Sequence, residues 1–310
     1  MNGDRTGNRI RNIVVSGPVT LLRTFRAAGA ASLVLLIAAC ARADGAGRAD
    51  RDSATDGSYQ PDALVLRVQH TGGFVPAAML ATRLPVVSVY GDGRVISEGP
   101  QILSYPPPAL PNVQVQVIDA AGVRTLVERA RAAGIGGPPI DFGQPPIADA
   151  ATTRFTLSTG YGTDVVDVYA LSETDADTHG LTPEQVRART ALRELLNALT
   201  DLPTTLGTDA VGESQPYEPA ALAAVATPYT PDPTIPAQRE VAWPGPRLPG
   251  DPIGPDAGCV TATGEDLPET LAAAEPATAI TPWTSGGERW TLNLRPLLPD
   301  ESGCADLLED

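Results

Sequence analysis

Apolar residues switch period repeatedly along this chain, and each switch marks an element. Leu64, Leu66 and Val68 alternate with Val65, Arg67 and Gln69, the period-two pattern of a strand. Residues 86–90 and 94–97 flank Gly91-Asp92-Gly93, residue types that supply the positive φ of a tight turn, so a hairpin is expected. Val113, Val115 and Val117 alternate with two glutamines in a further strand. The period then changes to that of a helix. Asp119 is placed to cap it, Val123, Leu126, Val127, Ala130 and Ala133 form one stripe, and Gly134 is suited to end it. Phe155 and Leu157 share a strand face, and Gly160-Tyr161-Gly162 turns that strand into residues 165–171. Thr182-Pro183-Glu184-Gln185 reads as a capping box with Pro in the first turn, ahead of the stripe Leu192, Leu195, Leu196 and Leu199.

Beyond Asp201 the pattern weakens. Residues 216–255 carry 11 Pro, and only 220–226 and 239–243 read as strands. Order returns with a strand at 259–262, a helix at 266–274 and a hairpin of 278–284 with 289–295 turning at Gly286-Gly287. The expected fold class is α+β: antiparallel hairpins forming sheets, with about three packed helices. The order strand, helix, Gly-turned hairpin occurs twice, over 113–171 and 259–298, which suggests a duplicated unit.

Residues 1–39 have the pattern of an export signal. Five Arg precede a short apolar run, 27–39, that is too short to span a bilayer and ends in Ile37-Ala38-Ala39-Cys40. Small residues before a Cys resemble a lipobox, in which the Cys thiol takes a diacylglycerol and the peptide is cut before it. The rival reading is an ordinary secretory signal with a chance Cys. The long basic region suggests translation from Val19. The resulting organisation is a signal at 1–39, a disordered tether at 40–61 from lipidated Cys40, an N-terminal α+β lobe at 62–200, a Pro-rich connecting segment at 201–256 and a C-terminal α+β lobe at 257–310. The expected location is the extracytoplasmic face of the cell membrane. The tether lacks apolar residues to bury, and its root-mean-square reach is roughly 25 Å.

Composition narrows the chemistry. All 22 basic residues are Arg, against 37 acids, for a net charge of −15. Without Lys there is no P-loop lysine, Ser-x-x-Lys dyad or Schiff base. The acidic balance argues against nucleic acid and favours a cation, or an envelope protein with a basic face. Gly and Pro, 30 and 31 residues, make up about a fifth of the chain, where roughly an eighth is usual. With Cys40 used for lipid, Cys259 and Cys304 are expected to pair as a disulfide in an exported chain.

No Gly-x-Ser-x-Gly elbow is present, and only His70 and His179 could serve as an imidazole base, each equally readable as a surface or loop residue. No catalytic residue and no cofactor are assigned. Asp175 and Asp177 lie in the densest acidic loop, 173–180, which resembles a calcium loop only loosely because no register puts both Gly180 and Glu184 where calcium would need them. Trp243, Trp283 and Trp290 suit either a core or an exposed cluster. The Pro-rich segment suits either a recognition ribbon or irregular wrapping. Phe74, Tyr105, Pro107 and Trp243 mark the candidate interaction surface.

Gly72-Gly73-Phe74, Leu84-Pro85, Tyr90-Gly91-Asp92-Gly93-Arg94-Val95, Gly99-Pro100, Ala109-Leu110-Pro111, Asp149-Ala150 and Thr152-Thr153, with the ending Arg295-Pro296-Leu297-Leu298-Pro299 before Cys304, are together similar to uncharacterised lipoproteins of actinomycetes. The resemblance covers most of residues 61–304. It implies a lipid anchor and brings no assigned activity. The expected function is therefore a lipid-anchored binding or scaffolding module of the cell envelope. The alternatives are a secreted hydrolase with an unfamiliar site, favoured by a cleft holding His70 and at least two acids, and a calcium-stabilised surface module.

Overall fold

Residues 59–174 and 180–308 are described by the computed structural model. The first half builds β1 (Leu64–Gly72), α1 (Ala77–Ala81), β2 (Val87–Tyr90), β3 (Arg94–Glu98), β4 (Val113–Val117), α2 (Ala120–Ala132), β5 (Ala151–Thr159), β6 (Gly162–Tyr169), α3 (Pro183–Thr200), α4 (Leu202–Leu206) and β7 (Gln215–Pro216). Its strands form a seven-stranded sheet in the order β6-β5-β1-β2-β3-β4-β7, every pair antiparallel. The second half builds β8 (Ala221–Pro228), β9 (Val241–Ala242), β10 (Asp251–Gly254), β11 (Ala257–Thr263), α5 (Asp266–Ala274), β12 (Trp283–Ser285) and β13 (Glu288–Pro296). Here the order is β10-β11-β8-β13-β12-β9, antiparallel except between β9 and β12. The fold is α+β, with two antiparallel-rich sheets and, among the described residues, three helices of seven residues or more.

The long helices begin and end where the chain chemistry dictates. The Asp119 carboxylate accepts from the Gly122 N–H at 2.7 Å. At the other end of α2, Gly134 takes φ 101°, and the amides of Gly134 and Ile135 donate back to Arg131 and Ala130, which buries Ile135 against the core. Thr182 and Gln185 cap α3 reciprocally. Leu126 on α2 and Leu192, Leu195 and Leu199 on α3 then cover one face of the first sheet, meeting Leu66, Val89, Phe155 and Leu157.

The opposite face of that sheet carries Arg67, Ser88 and Ile96, which lie level with one another across β1, β2 and β3. Tyr90, Ile96 and Val113 bury themselves there against Leu298, so the chain's C-terminal segment joins the two sheets. β8, at the centre of the second sheet, is apolar on both faces, as a strand covered on both sides must be. Leu222, Ala224 and Ala226 face Trp243, Trp283 and Leu292, while Ala221, Ala223 and Val225 face α1 and the disulfide.

Several expectations are refined. Residues 201–256, read as a connector, supply β7 to the first sheet and β8, β9 and β10 to the second. The final hairpin has a shorter first arm: Pro282 offers no N–H to a ladder, and residues 278–281 close a turn instead, with the Thr281 amide donating to the Thr278 carbonyl. The two strand-helix-hairpin segments enter their sheets differently. In the first, β4 and β5 are separated by three strands and β6 is the edge; in the second, only β8 separates β11 from β13, and β12 lies outside β13. No duplicated unit is visible among the described residues. Cys259 and Cys304 form the expected disulfide, with Cα atoms 6.0 Å apart.

Candidate functional site

Strand registers divide the first sheet into two ends. The described chain enters at Tyr59, beside the β2–β3 turn, where the amides of Gly91 and Asp92 donate to the carbonyls of Ala63 and Pro61 at 3.0 and 3.2 Å. Arg94 pairs there with Asp62 and Asp92. Leu64 lies opposite Tyr90 at this end, whereas Gly72 lies opposite Ala151 at the other. Eight residue steps along β1 separate the two ends by about 26 Å. The loops leaving β1 and β3 both run toward the far end, about 10 Å apart across the sheet and about 10 Å apart along it, because Ser97 lies level with Val68 while β1 continues to Gly72.

Those far-end loops carry Phe74, 89% exposed, and Tyr105, 76% exposed, with Met79, Ile102 and Leu103 also open to solvent. The 99–112 loop is closed at its base by the Gly99 amide on the Asn112 carbonyl, 2.7 Å, and by the Asn112 side chain on the Pro100 carbonyl, 2.8 Å. Its second arm is pinned to the connection between α5 and β12: Ala109 N–H donates to Ala277, and Ala279 N–H donates to Pro107, at 3.0 and 2.9 Å. Pro107 is exposed beside that contact.

Ala279 also lines a groove of about 560 Å³ whose opposite wall is the Pro-rich stretch from Tyr229 to Gln238. The groove is mainly apolar. At its rim Arg289 lies 5.8 Å over the Tyr229 ring and 3.4 Å from Glu240. Tyr105, Pro107 and the Pro-rich wall are thus brought into one continuous region, and Phe74 to the same end of the sheet. Trp243 does not belong with them. It is 7% exposed, meets Trp283 edge-on at 5.6 Å and donates its indole N–H to the Pro246 carbonyl at 2.7 Å. Its role is core packing, because the indole is the largest body available to fill the space under the Ala-rich β8. Asp175 and Asp177 lie outside the described residues, as do Cys40 and His179.

A second concavity, about 470 Å³, lies between the far end of β1 with α1 and the β10–β11–β13 face of the second sheet. It does contain His70 and three acids, Asp300, Glu301 and Asp306. The acids are engaged in holding the C-terminal segment. Asp300 accepts from Arg67 and from the Tyr90 hydroxyl, both at 2.7 Å. Glu301 accepts from Arg295 at 2.7 Å and from the Leu298 amide at 2.8 Å. Burial pushes the Tyr90 phenol well above its ordinary pKa, and the neighbouring Asp300 adds to the shift against the opposing Arg67 charge. The His70 ring meets the Thr153 hydroxyl at 3.4 Å. Burial, then the charge of Arg83, lowers the His70 pKa and favours its neutral form. The Thr153 hydroxyl, 1% exposed, is the one side chain hydrogen-bonded to the His70 ring among the described residues, and no carboxylate is hydrogen-bonded to it there.

The sequence names His70 and a cleft with at least two acids as a condition, which this cleft meets, but identifies none of the other residues that build it. Its one local signal is Arg67, a charge in an apolar strand; the partner, Asp300, is 233 residues away. Searches for similarity return no matching family model, no matching curated protein and no matching solved structure.

Proposed function

We propose that this chain is a lipid-anchored protein of the extracytoplasmic membrane face, similar to the actinomycete lipoproteins, that serves as a binding or scaffolding module of the cell envelope. The polarity of the first sheet carries this reading. The chain enters at one end of β1, and the exposed apolar loops at Phe74 and Tyr105 leave β1 and β3 in the opposite direction, about 26 Å and about 16 Å along the sheet from that end. The expected tether of residues 40–61 is shorter than its sequence bounds, because Tyr59 already packs on the core and Pro61 accepts from Asp92; ending before Tyr59, it would hold the near end toward the bilayer and present the far end outward. Exposed aromatic anchors beside an apolar groove are what a partner surface uses. The excess of 37 acids over 22 Arg favours a partner with a basic face.

The test is photo-cross-linking in intact cells, with benzoylphenylalanine placed at Phe74, Tyr105 or Tyr161. Tyr161 is equally exposed but sits at the β5–β6 turn, the near end. One recurring envelope protein with a basic surface, attached from positions 74 and 105 and not from 161, is the expected result. Adducts from 161 alone, or none from any position, overturn the reading.

A further inference from the structure

Six ionised side chains line the 470 Å³ cleft: Arg67, Arg83, Arg295, Asp300, Glu301 and Asp306. Four are spent on each other as the pairs Arg67–Asp300 and Arg295–Glu301. Arg83 and Asp306 remain, and each has unused capacity. Arg83 donates through one nitrogen, Nη1, to the carbonyls of His70 and Gly72, at 3.2 and 3.0 Å. Its Nε and Nη2 have no acceptor, and it pairs with no carboxylate, among the described residues. Asp306 accepts three hydrogen bonds, from the Ser302 amide and hydroxyl and the Gly303 amide, and all three go to Oδ2. Its Oδ1 accepts none among the described residues.

The wall holds a further unmet donor. Arg295 is 5% exposed, and its Nε is buried without an acceptor among the described residues. Such a donor is costly to bury unless an acceptor reaches it. The charges lining the cleft sum to zero, so a simple anion or cation gains little from the site as a whole. A molecule carrying both charges gains at both ends. Ala77, Ala78, Leu80 and Ile253 supply an apolar wall with room for a side chain.

We propose that this cleft is a binding site for a small zwitterion with an apolar side chain, an amino acid or short peptide, its carboxylate held by Arg83 and its ammonium by Asp306 Oδ1. The inference does not rest on the envelope reading, and it places the ligand away from the Tyr105 loop and the Pro-rich groove. Neutral His70 adds a hydrogen-bonding group without disturbing the charge match.

The experiment is calorimetric titration of the full chain in detergent at neutral pH with dialanine and alanylleucine, alongside their N-acetyl and C-terminal amide forms. Both free dipeptides bind, and blocking either end weakens binding at least about tenfold. In Arg83→Gln the free dipeptide and its amide bind equally. In Asp306→Asn, where the amide oxygen can still serve the Ser302 and Gly303 donors, the free dipeptide and its N-acetyl form bind equally. Unchanged melting temperatures show that both variants remain folded; Arg83→Lys and Asp306→Glu provide second variants should either fail. Equal affinity for blocked and free dipeptides in the unaltered chain overturns the proposal. So does the absence of binding by either free dipeptide up to about 10 mM.

Discussion

Tyr90 shows what one buried phenol contributes and when it fails. Its hydroxyl donates to Asp300 while Arg67 reaches both groups, at 2.7 Å to the carboxylate and 3.1 Å to the phenol oxygen. The folded chain therefore holds Tyr90 neutral far beyond the pH at which an unfolded phenol ionises. Tyr217, whose hydroxyl donates to the Leu297 carbonyl at 2.8 Å, is likewise pushed up to about 12, chiefly by burial. Below pH ~10 both states keep these protons and the stability is fully present. Above it the unfolded chain loses them first, so stability falls by about 1.4 kcal/mol per pH unit for each phenol, until the folded-state pKa is passed. The chain has no Lys, so no ammonium side chain adds to this range. Urea denaturation between pH 9 and 11 should show this decline, and Tyr90→Phe should remove about half of its slope. A flat profile would contradict the burial assigned to both phenols. Arg189 makes a similar point without titration: fully buried, it donates to the carbonyls of Phe142, Tyr169 and Ala170 and so ties α3 to the end of β6.

Among the elements, the short C-terminal segment after β13 connects the most. Cys304 ties it to Cys259 on β11, Glu301 holds Arg295 on β13, and Asp300 reaches Arg67 on β1. The disulfide closes a loop of 45 residues, worth on the order of 4 kcal/mol in the chain-entropy view. Replacing both cysteines with Ala should lower unfolding stability by about 2–4 kcal/mol in urea titration. It should also reduce hydrogen-exchange protection at the β1 end of the Arg67–Asp300 pair. A loss confined to β11 would show that the segment does not couple the sheets. Elements with a period and a cap were readable from residues alone, α2 from Asp119 and Gly134 and α3 from Thr182 and Gln185, and β8 was readable from its unbroken apolar run. Elements with none of these marks were not. α1 is Ala-Ala-Met-Leu-Ala with no polar face, α4 is five residues with Pro at its start, and β10 contains Pro252. Their form depends on what they pack against, which periodicity does not encode.

At the scale of the molecule, two sheets share a seam made by Tyr90, Ile96, Val113 and Leu298, and the described residues belong to one compact unit. The exposed loops were readable because Phe74 and Tyr105 sit among Gly and Pro, outside any periodic pattern. The paired charges of the cleft were not, because strand-to-terminus pairing over 233 residues leaves no local mark. Trp243 illustrates the same limit in reverse: a Trp in a Pro-rich stretch looks available, yet the fold buries it against Trp283. A diacylglycerol supplies two chains, enough for stable anchoring, whereas one chain alone would bind only reversibly. The direct measurement is the mass of the N-terminal peptide from the membrane fraction, compared with the distribution of Cys40→Ser between membrane and soluble fractions. The account predicts a peptide beginning at Cys40 with a diacylglycerol on its thiol, and release of the Cys40→Ser protein from the lipidated pool. An unmodified Cys40 with residues 1–39 still attached would contradict it.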